Sequence, residues 1–308
     1  MASNNFTGTN IGGIQAGHVH VAGDVHVSHG CNTSPDVYAC LRSLNYKGMY
    51  EEVDTKDRGP GTGDWIFDHR QYRAWYENGG TLHISGRAGC GKSMLMHHIV
   101  AEASKPSSPE KSILLWFCFG HANDSRSRPE LNVLKSLLHQ LLSLHDELLA
   151  EFFQLTGYAK RCRSRGTPGV DWDWPTQELG DQLNHMLRKA ASNGYEVRIF
   201  LDGLDEAGKD VAKRLLDIFR TLSGAVSVCF SARPQAASEP VHNFRIYLAD
   251  ENYSDIELYL DHHFSNIGLD WPHLITIKVY LMMHSSGVFQ WLAWICPRVV
   301  KLARSQQR

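Results

Sequence analysis

The sequence has too little of several things to belong to some common protein classes. It has no long apolar run. The longest, 287–300, is interrupted by Gln290, Pro297 and Arg298 and falls short of the roughly 20 residues that a helix needs to cross a bilayer. It has no excess of positive charge. Lys and Arg number 31 against 33 Asp and Glu, a net charge of -2, which argues against an electrostatic grip on nucleic acid. The basic cluster Lys160 to Arg165 is short and reads as a solvated loop. The cysteines, at 31, 40, 90, 118, 162, 229 and 296, are odd in number and include no C-x-x-C pair. That spacing excludes a zinc knuckle or a disulfide framework and suits buried free thiols in a reducing, cytoplasmic compartment. The start, Met-Ala-Ser-Asn-Asn, has neither a basic nor an apolar region, so no signal peptide is expected.

What is present is ordinary globular composition, 43% hydrophobic and 21% charged over 308 residues, enough for one large domain or two small ones. Residues 1–30 differ from the rest: they are rich in Gly, Asn, Thr, Val and His, with no Lys, Arg, Leu or Pro. After a mixed, aromatic stretch with a turn at Gly59-Pro60-Gly61, strands and helices alternate. Strands are expected at Thr81–Ser85, Ile113–Phe119, Val197–Leu201, Val226–Phe230 and Phe244–Leu248. Helices are expected at Ser93–Ala103, Glu130–Phe153, Thr176–Ala191 and Val211–Leu222, with a loop over Arg161–Trp174. Such alternation implies an α/β fold with a parallel sheet and right-handed crossovers. From Ser254 the pattern is helical only and predicts a small helical subdomain.

Three motifs carry chemistry. Gly86-Arg87-Ala88-Gly89-Cys90-Gly91-Lys92-Ser93 satisfies G-x-x-x-x-G-K-[ST] between an apolar strand and a helix. Glycines let the backbone wrap a phosphate with its N–H groups inward, Lys92 reaches the β- and γ-phosphates, and the Ser93 hydroxyl ligates magnesium. The strand 197–201 runs into Asp202-Gly203-Leu204-Asp205-Glu206. An acid at the carboxyl end of a strand meets the ligand crevice of an open sheet. Asp202 is therefore the candidate magnesium ligand, while Asp205 and Glu206 stand where a carboxylate could activate water. Third, Ser231-Ala232-Arg233-Pro234 closes another strand with an arginine that could reach a γ-phosphate. These expectations name a P-loop NTPase using Mg2+ with ATP. GTP is not excluded, although no N-K-x-D occurs to read a guanine edge.

In this order the three motifs resemble the signature set of the NACHT family of signal-transducing NTPases, most closely its fungal NOD-like receptor type. Gly61-Thr62-Gly63-Asp64-Trp65, with Tyr72 and Trp75, is similar to that family's lead-in. Ser254-Asp255-Ile256 with Tyr259, and Gly287-Val288-Phe289-Gln290-Trp291, are similar to its first helical subdomain. The resemblance implies that Thr62 and Trp65 lie near the base, that Asp202 is the Walker B acid, that Asp205 and Glu206 are hydrolytic and that Arg233 is sensor 1. It implies a lead-in over 31–80, an NTPase core over 81–250 and a helical subdomain over 251–308, in which no winged-helix or repeat counterpart is recognised. It also implies an ATP/ADP switch that self-associates, hydrolyses slowly and signals in the cytoplasm. A small-molecule kinase and a non-hydrolysing nucleotide scaffold are the competing classes.

Residues 10–27 alternate with period two, carry Val19, Val21, Val25 and Val27, and almost lack charge. That pattern can stack in cross-β form. It is similar to the amyloid signalling motifs that precede fungal NACHT domains, and Ile14-Gln15-Ala16-Gly17 resembles the RHIM core, with Ile14, Gln15 and Gly17 as amyloid core candidates. In that picture the oligomer templates the fold onto a cell-death effector. A flexible glycine-rich tail and an ordinary hairpin are equally consistent with the composition. A zinc site built from His18, His20, His26 and His29 lacks a completing acid or cysteine.

Overall fold

The computed structural model describes residues 35–45, 59–105, 111–119, 128–222, 224–234, 243–265 and 271–306. The candidate amyloid core and the N-terminal histidines lie outside them. In chain order the elements are α1 (Pro35–Ser43), a 3-10 turn (Asp64–Asp68), α2 (Arg70–Asn78), β1 (Thr81–Ser85), α3 (Lys92–Ala103), β2 (Ser112–Cys118), α4 (Pro129–Leu144), α5 (Asp146–Thr156), α6 (Tyr158–Arg165), α7 (Thr176–Ser192), β3 (Glu196–Asp202), a second 3-10 turn (Leu204–Ala207), α8 (Lys209–Thr221), β4 (Val226–Ala232), β5 (Phe244–Tyr247), and the helices α9 (Leu248–Glu251), α10 (Tyr253–Phe264), α11 (Trp271–Ser285) and α12 (Phe289–Gln306).

The five strands form one parallel sheet in the order β2-β3-β4-β1-β5. Its strands are apolar on both faces because helices cover both. Side chains alternate accordingly. Val197, Ile199 and Leu201 of β3 join Ile113, Leu115 and Phe117 of β2 in a core shared with α1, α4, α5, α7 and α8. Phe200 points the other way and joins Leu82 and Ile84 of β1, Trp75 of α2 and Met96 of α3. A third, smaller core, with Ile256, Leu260, Phe264, Leu281, Leu292 and Cys296, holds α10, α11 and α12 together. The described cysteines are all free thiols, and no described helix is long and apolar enough to cross a membrane.

Two expectations are corrected. The helix expected over Glu130–Phe153 is two. His145 adopts an extended backbone (φ -140°, ψ 97°) and stands as the N-cap of α5, whose first turn carries Asp146 and Glu147, favourable at the positive end of a helix. The leucine spacing continues across the break, so periodicity alone could not reveal it. The loop expected from Arg161 instead begins as a helix, α6, starting at the left-handed Gly157. Arg163 and Arg165 occupy its last turn, where cations suit the dipole. Arg161 is anchored by a two-pronged pair with Glu178 at 2.9 and 2.6 Å.

Candidate nucleotide site

The insertion of β4 between β1 and β3 builds the site. In a parallel sheet all carboxyl ends lie along one edge, so the glycine loop after β1, the Ser-Ala-Arg segment after β4 and the acids after β3 stand side by side. Ser85 is in register with Ala232, and Gly86 N–H donates to the Ala232 carbonyl at 3.3 Å.

The glycine loop needs its glycines for backbone reasons. Gly89 and Gly91 have φ of 74° and 98°, the left-handed region where a side chain is strained. A Cβ on Gly86 would lie 2.4 Å from Cys90 Sγ, and one on Gly89 2.7 Å from Gln290 Oε1. Burial pushes the Cys90 thiol up, opposed by Lys92. Lys92 opens α3 and donates to the carbonyls of Gly86 and Arg87 at 2.9 and 3.0 Å. These bonds hold its ammonium against the loop. Ser93 follows it in the first turn of α3, exposed.

At the end of β3, Asp202 is 1% exposed. It accepts from the Ser231 hydroxyl and from Cys118 Sγ at 3.6 Å. Ser231 Oγ in turn accepts the Gly203 N–H at 2.9 Å. Asp205 accepts the Arg233 backbone N–H at 3.2 Å on Oδ1 and pairs with Arg233 Nε at 3.0 Å through Oδ2. Glu206 is exposed beside it.

A cleft of about 740 Å³ runs along this edge, within the size range of small-molecule sites. Of the expected residues, Ala88, Gly89, Cys90, Gly91, Lys92, Ser93, Asp205, Glu206, Arg233 and Thr62 line it. Gly86, Arg87 and Asp202 do not. Gly86 is buried and Arg87 exposed, and Asp202 is bonded to Ser231, which does line the cleft. Trp65 is also off the cleft wall: its indole N–H donates to Asp255 Oδ2 at 2.8 Å.

The opposite wall is what sequence reasoning missed. It comes from α3 and the C-terminal helices: His98, Asp255, Tyr259, His262, His263, Phe289 and Pro297. His98 shares a 2.7 Å hydrogen bond with Asp64. Tyr259 packs on His263 at 4.3 Å and edge-on to Phe289 at 5.8 Å. Burial, then the neighbouring His262, lowers the His263 pKa, which favours its uncharged form. Three contacts bind these helices to the rest of the site. Gln290 N–H donates to the Gly89 carbonyl at 3.0 Å, Asn252 Nδ2 to the Cys90 carbonyl at 3.2 Å, and Gly63 N–H to Asp255 Oδ1 at 2.8 Å. Asn252 is the N-cap of α10 and Asp255 lies in its first turn, both buried, and no spacing rule links them to the glycine loop.

The donor set fits magnesium: hydroxyl and carboxylate oxygens (Ser93, Asp202) are the hard ligands this ion takes, several of its positions being kept by water and phosphate.

A parallel sheet in this order, with a G-x-x-x-x-G-K-S loop, an acidic strand end and an arginine strand end on one cleft, is a P-loop NTPase α/β fold. The chain belongs to the Nephrocystin 3, N-terminal family, which matches residues 61–233, from the lead-in to Arg233. It is similar to the vegetative incompatibility protein HET-E-1 of Podospora anserina, 25% identical over 248 residues. That match takes in 75% of this chain, and the chain spans 18% of that relative's length. Among solved structures it resembles a chain of Drosophila ORC bound to DNA, with TM-score 0.48 and 12% identity, over 94% of this chain and 66% of that one. A second is Cdc6p from Pyrobaculum aerophilum, with TM-score 0.37 and 12% identity, over 67% and 53%.

Proposed function

We propose that this chain is a nucleotide-dependent signalling switch that binds ATP with magnesium and hydrolyses it slowly. The observation that carries the reading is the convergence of Lys92, Ser93, Asp205, Glu206 and Arg233 on one cleft with the glycine loop at its base. The loop N–H groups and the start of α3 hold the phosphates. Lys92 exchanges its loop carbonyls for β- and γ-oxygens, and Arg233 reaches the γ-phosphate. Ser93 and Asp202 are the groups that would hold magnesium, which when bound neutralises phosphate charge. The aromatic wall of Tyr259, His263 and Phe289 offers a stacking surface for a base.

A charge-assisted contact is worth about 1.5–3 kcal/mol, so Lys92→Ala lowers affinity for a fluorescent ATP analogue roughly tenfold to a hundredfold. Equal affinity in the variant and the wild type refutes the reading. The signalling part rests on the resemblance to fungal NACHT proteins and on the similarity to a vegetative incompatibility protein. In it, ATP-bound chains self-associate in the cytoplasm and residues 1–30 template a cell-death effector. Light scattering with ADP, with a non-hydrolysable ATP analogue and without nucleotide tests this, since identical sizes leave no switch. Fibril formation by residues 1–30, with Gln15 replaced as control, tests the templating step.

A further inference from the structure

The G-x-x-x-x-G-K-S pattern leaves position 89 open, yet the glycine there answers to something outside the loop. A Cβ on Gly89 would lie 2.7 Å from Gln290 Oε1 and 3.3 Å from Val288 Cγ1, and one on Gly91 3.4 Å from Phe289 Cδ2. The start of α12 therefore rests directly on the loop. The turn after α11 brings it there. Ser286 and Gly287 are both left-handed in that turn (φ 47° and 78°), and Ser286 is the one such non-glycine residue among those described. Backbone of that kind at an ordinary residue persists where its surroundings impose it.

Asn252 joins this turn to the loop. Its Nδ2 donates to the Gly287 carbonyl at 2.9 Å and to the Cys90 carbonyl at 3.2 Å. Both partners are acceptors, so a flipped amide would set its oxygen against two carbonyls, and the orientation is fixed. Asn252 Oδ1 is buried with no hydrogen-bond partner among the described residues. Although Asn252 is the N-cap of α10, its side chain makes no capping bond to that helix. What the side chain serves is the turn and the loop. One residue earlier in the loop, the Gly89 carbonyl accepts the Gln290 N–H at 3.0 Å. Two successive loop carbonyls are thus held from the C-terminal helices.

We infer that Asn252 is a positioning residue for the phosphate loop, and that with Gln290 it makes the placement of α12 and the grip on phosphate one equilibrium. This rests on the nucleotide-binding reading above. In a trans peptide the C=O and the next N–H point opposite ways. Holding the Gly89 and Cys90 carbonyls therefore orients the Cys90 and Gly91 N–H groups, which a phosphate in the loop would take. The Arg87 carbonyl now receives the Cys90 N–H at 3.4 Å and the Lys92 ammonium at 3.0 Å. Bound phosphate draws both donors away, and the two peptides keep their orientation because Asn252 and Gln290 hold them from the other side. Linkage is reciprocal: whatever the seating of α12 does to phosphate affinity, phosphate does to the seating of α12.

The test uses the full chain with magnesium, and pyrophosphate as a probe that has no base to stack on the aromatic wall. Calorimetry gives affinity, and mass spectrometry follows hydrogen exchange of residues 288–291 with and without saturating pyrophosphate. In the wild type pyrophosphate slows this exchange about fivefold or more, the lower end of ordinary coupling. Asn252→Ala weakens pyrophosphate and ATP roughly tenfold, the scale of one hydrogen bond whose partner is left stranded. At saturation its exchange at 288–291 also stays within about twofold of the unliganded variant. That second readout separates positioning from support, since a merely structural loss weakens binding but leaves the protection intact once the site is filled. Asn252→Asp has the same size and, ionised, no side-chain N–H to donate. It gives the same two losses and serves if the alanine variant does not fold. The inference is overturned if either variant keeps the protection at saturation or binds pyrophosphate within about twofold of the wild type. A wild type that binds ATP but shows no pyrophosphate protection of 288–291 also overturns it, and leaves the nucleotide site standing. A wild type that binds neither ligand overturns the proposed function as well.

Discussion

Replacing Asp255 tests the joint between the lead-in and the C-terminal helices. Its carboxylate is 6% exposed and receives Gly63 N–H and Trp65 Nε1–H, each at 2.8 Å, from residues 192 and 190 positions away. Hydrogen bonds to a charged acceptor contribute about 1.5–3 kcal/mol each, and stranding their donors costs the desolvation of those donors. Against this, Asp255→Ala also removes a buried carboxylate, whose own desolvation opposes folding. The net expectation is a loss of about 2–4 kcal/mol for Asp255→Ala and about 1–2 kcal/mol for Trp65→Phe, which removes one of the two donors. The two substitutions share a bond, so the double variant falls short of the sum by about 1 kcal/mol or more. Urea unfolding followed by circular dichroism measures all three, using the first transition if the helical subdomain unfolds ahead of the sheet. An Asp255→Ala cost below about 1 kcal/mol, or full additivity with Trp65→Phe, refutes the claim that this carboxylate holds the two parts together.

Three further outcomes are expected. Gly89→Ala forces a left-handed residue at about 1–2 kcal/mol and drives a methyl into Gln290, so nucleotide affinity and thermal stability fall together; a variant with unchanged affinity argues against the loop geometry. Ser231→Ala strips Asp202 and the Gly203 N–H of their shared hydroxyl, at about 1–3 kcal/mol, and weakens the magnesium-dependent part of nucleotide binding more than the magnesium-free part, measured by titration with and without a chelator. Burial pushes the Cys296 thiol from 9.0 up to about 11 and raises Cys40 and Cys229 as well. The unfolded chain therefore loses these protons first as pH rises. Stability is fully present below about pH 9 and is lost progressively from there through pH 11; melting temperatures across that range check it, and a shallower slope is expected for Cys296→Ala.

The layer order and the phosphate loop were legible in the amino-acid sequence because their signals are local. Apolar runs of strand length, leucines at helical spacing and a G-x-x-x-x-G-K-S match each depend on residues within a few positions of one another. The same locality explains the errors. Leucine periodicity runs through His145 without registering that its backbone is extended, and a basic stretch reads as a loop until Glu178, from α7, is seen to fasten Arg161.

The sequence by itself determined which residues to expect at the phosphate loop and acidic strand end, Lys92, Ser93 and Asp202, and that Gly89 and Gly91 would be glycines, whose backbone is left-handed. Only the tertiary structure decided which partner each acid meets: Ser231 for Asp202 and Arg233 for Asp205. Asp202 and Asp205 differ because β4 lies between β1 and β3 and offers each a different partner, an arrangement set by strand order between residues 29 and 28 positions apart. It also decided the far wall of the cleft, since Asn252 and Gln290 meet the glycine loop and Asp255 the lead-in from helices that share a separate apolar core. Hydrophobic burial is non-directional and places these helices. The few hydrogen bonds to Gly89, Cys90 and Gly63 then fix their register on the site.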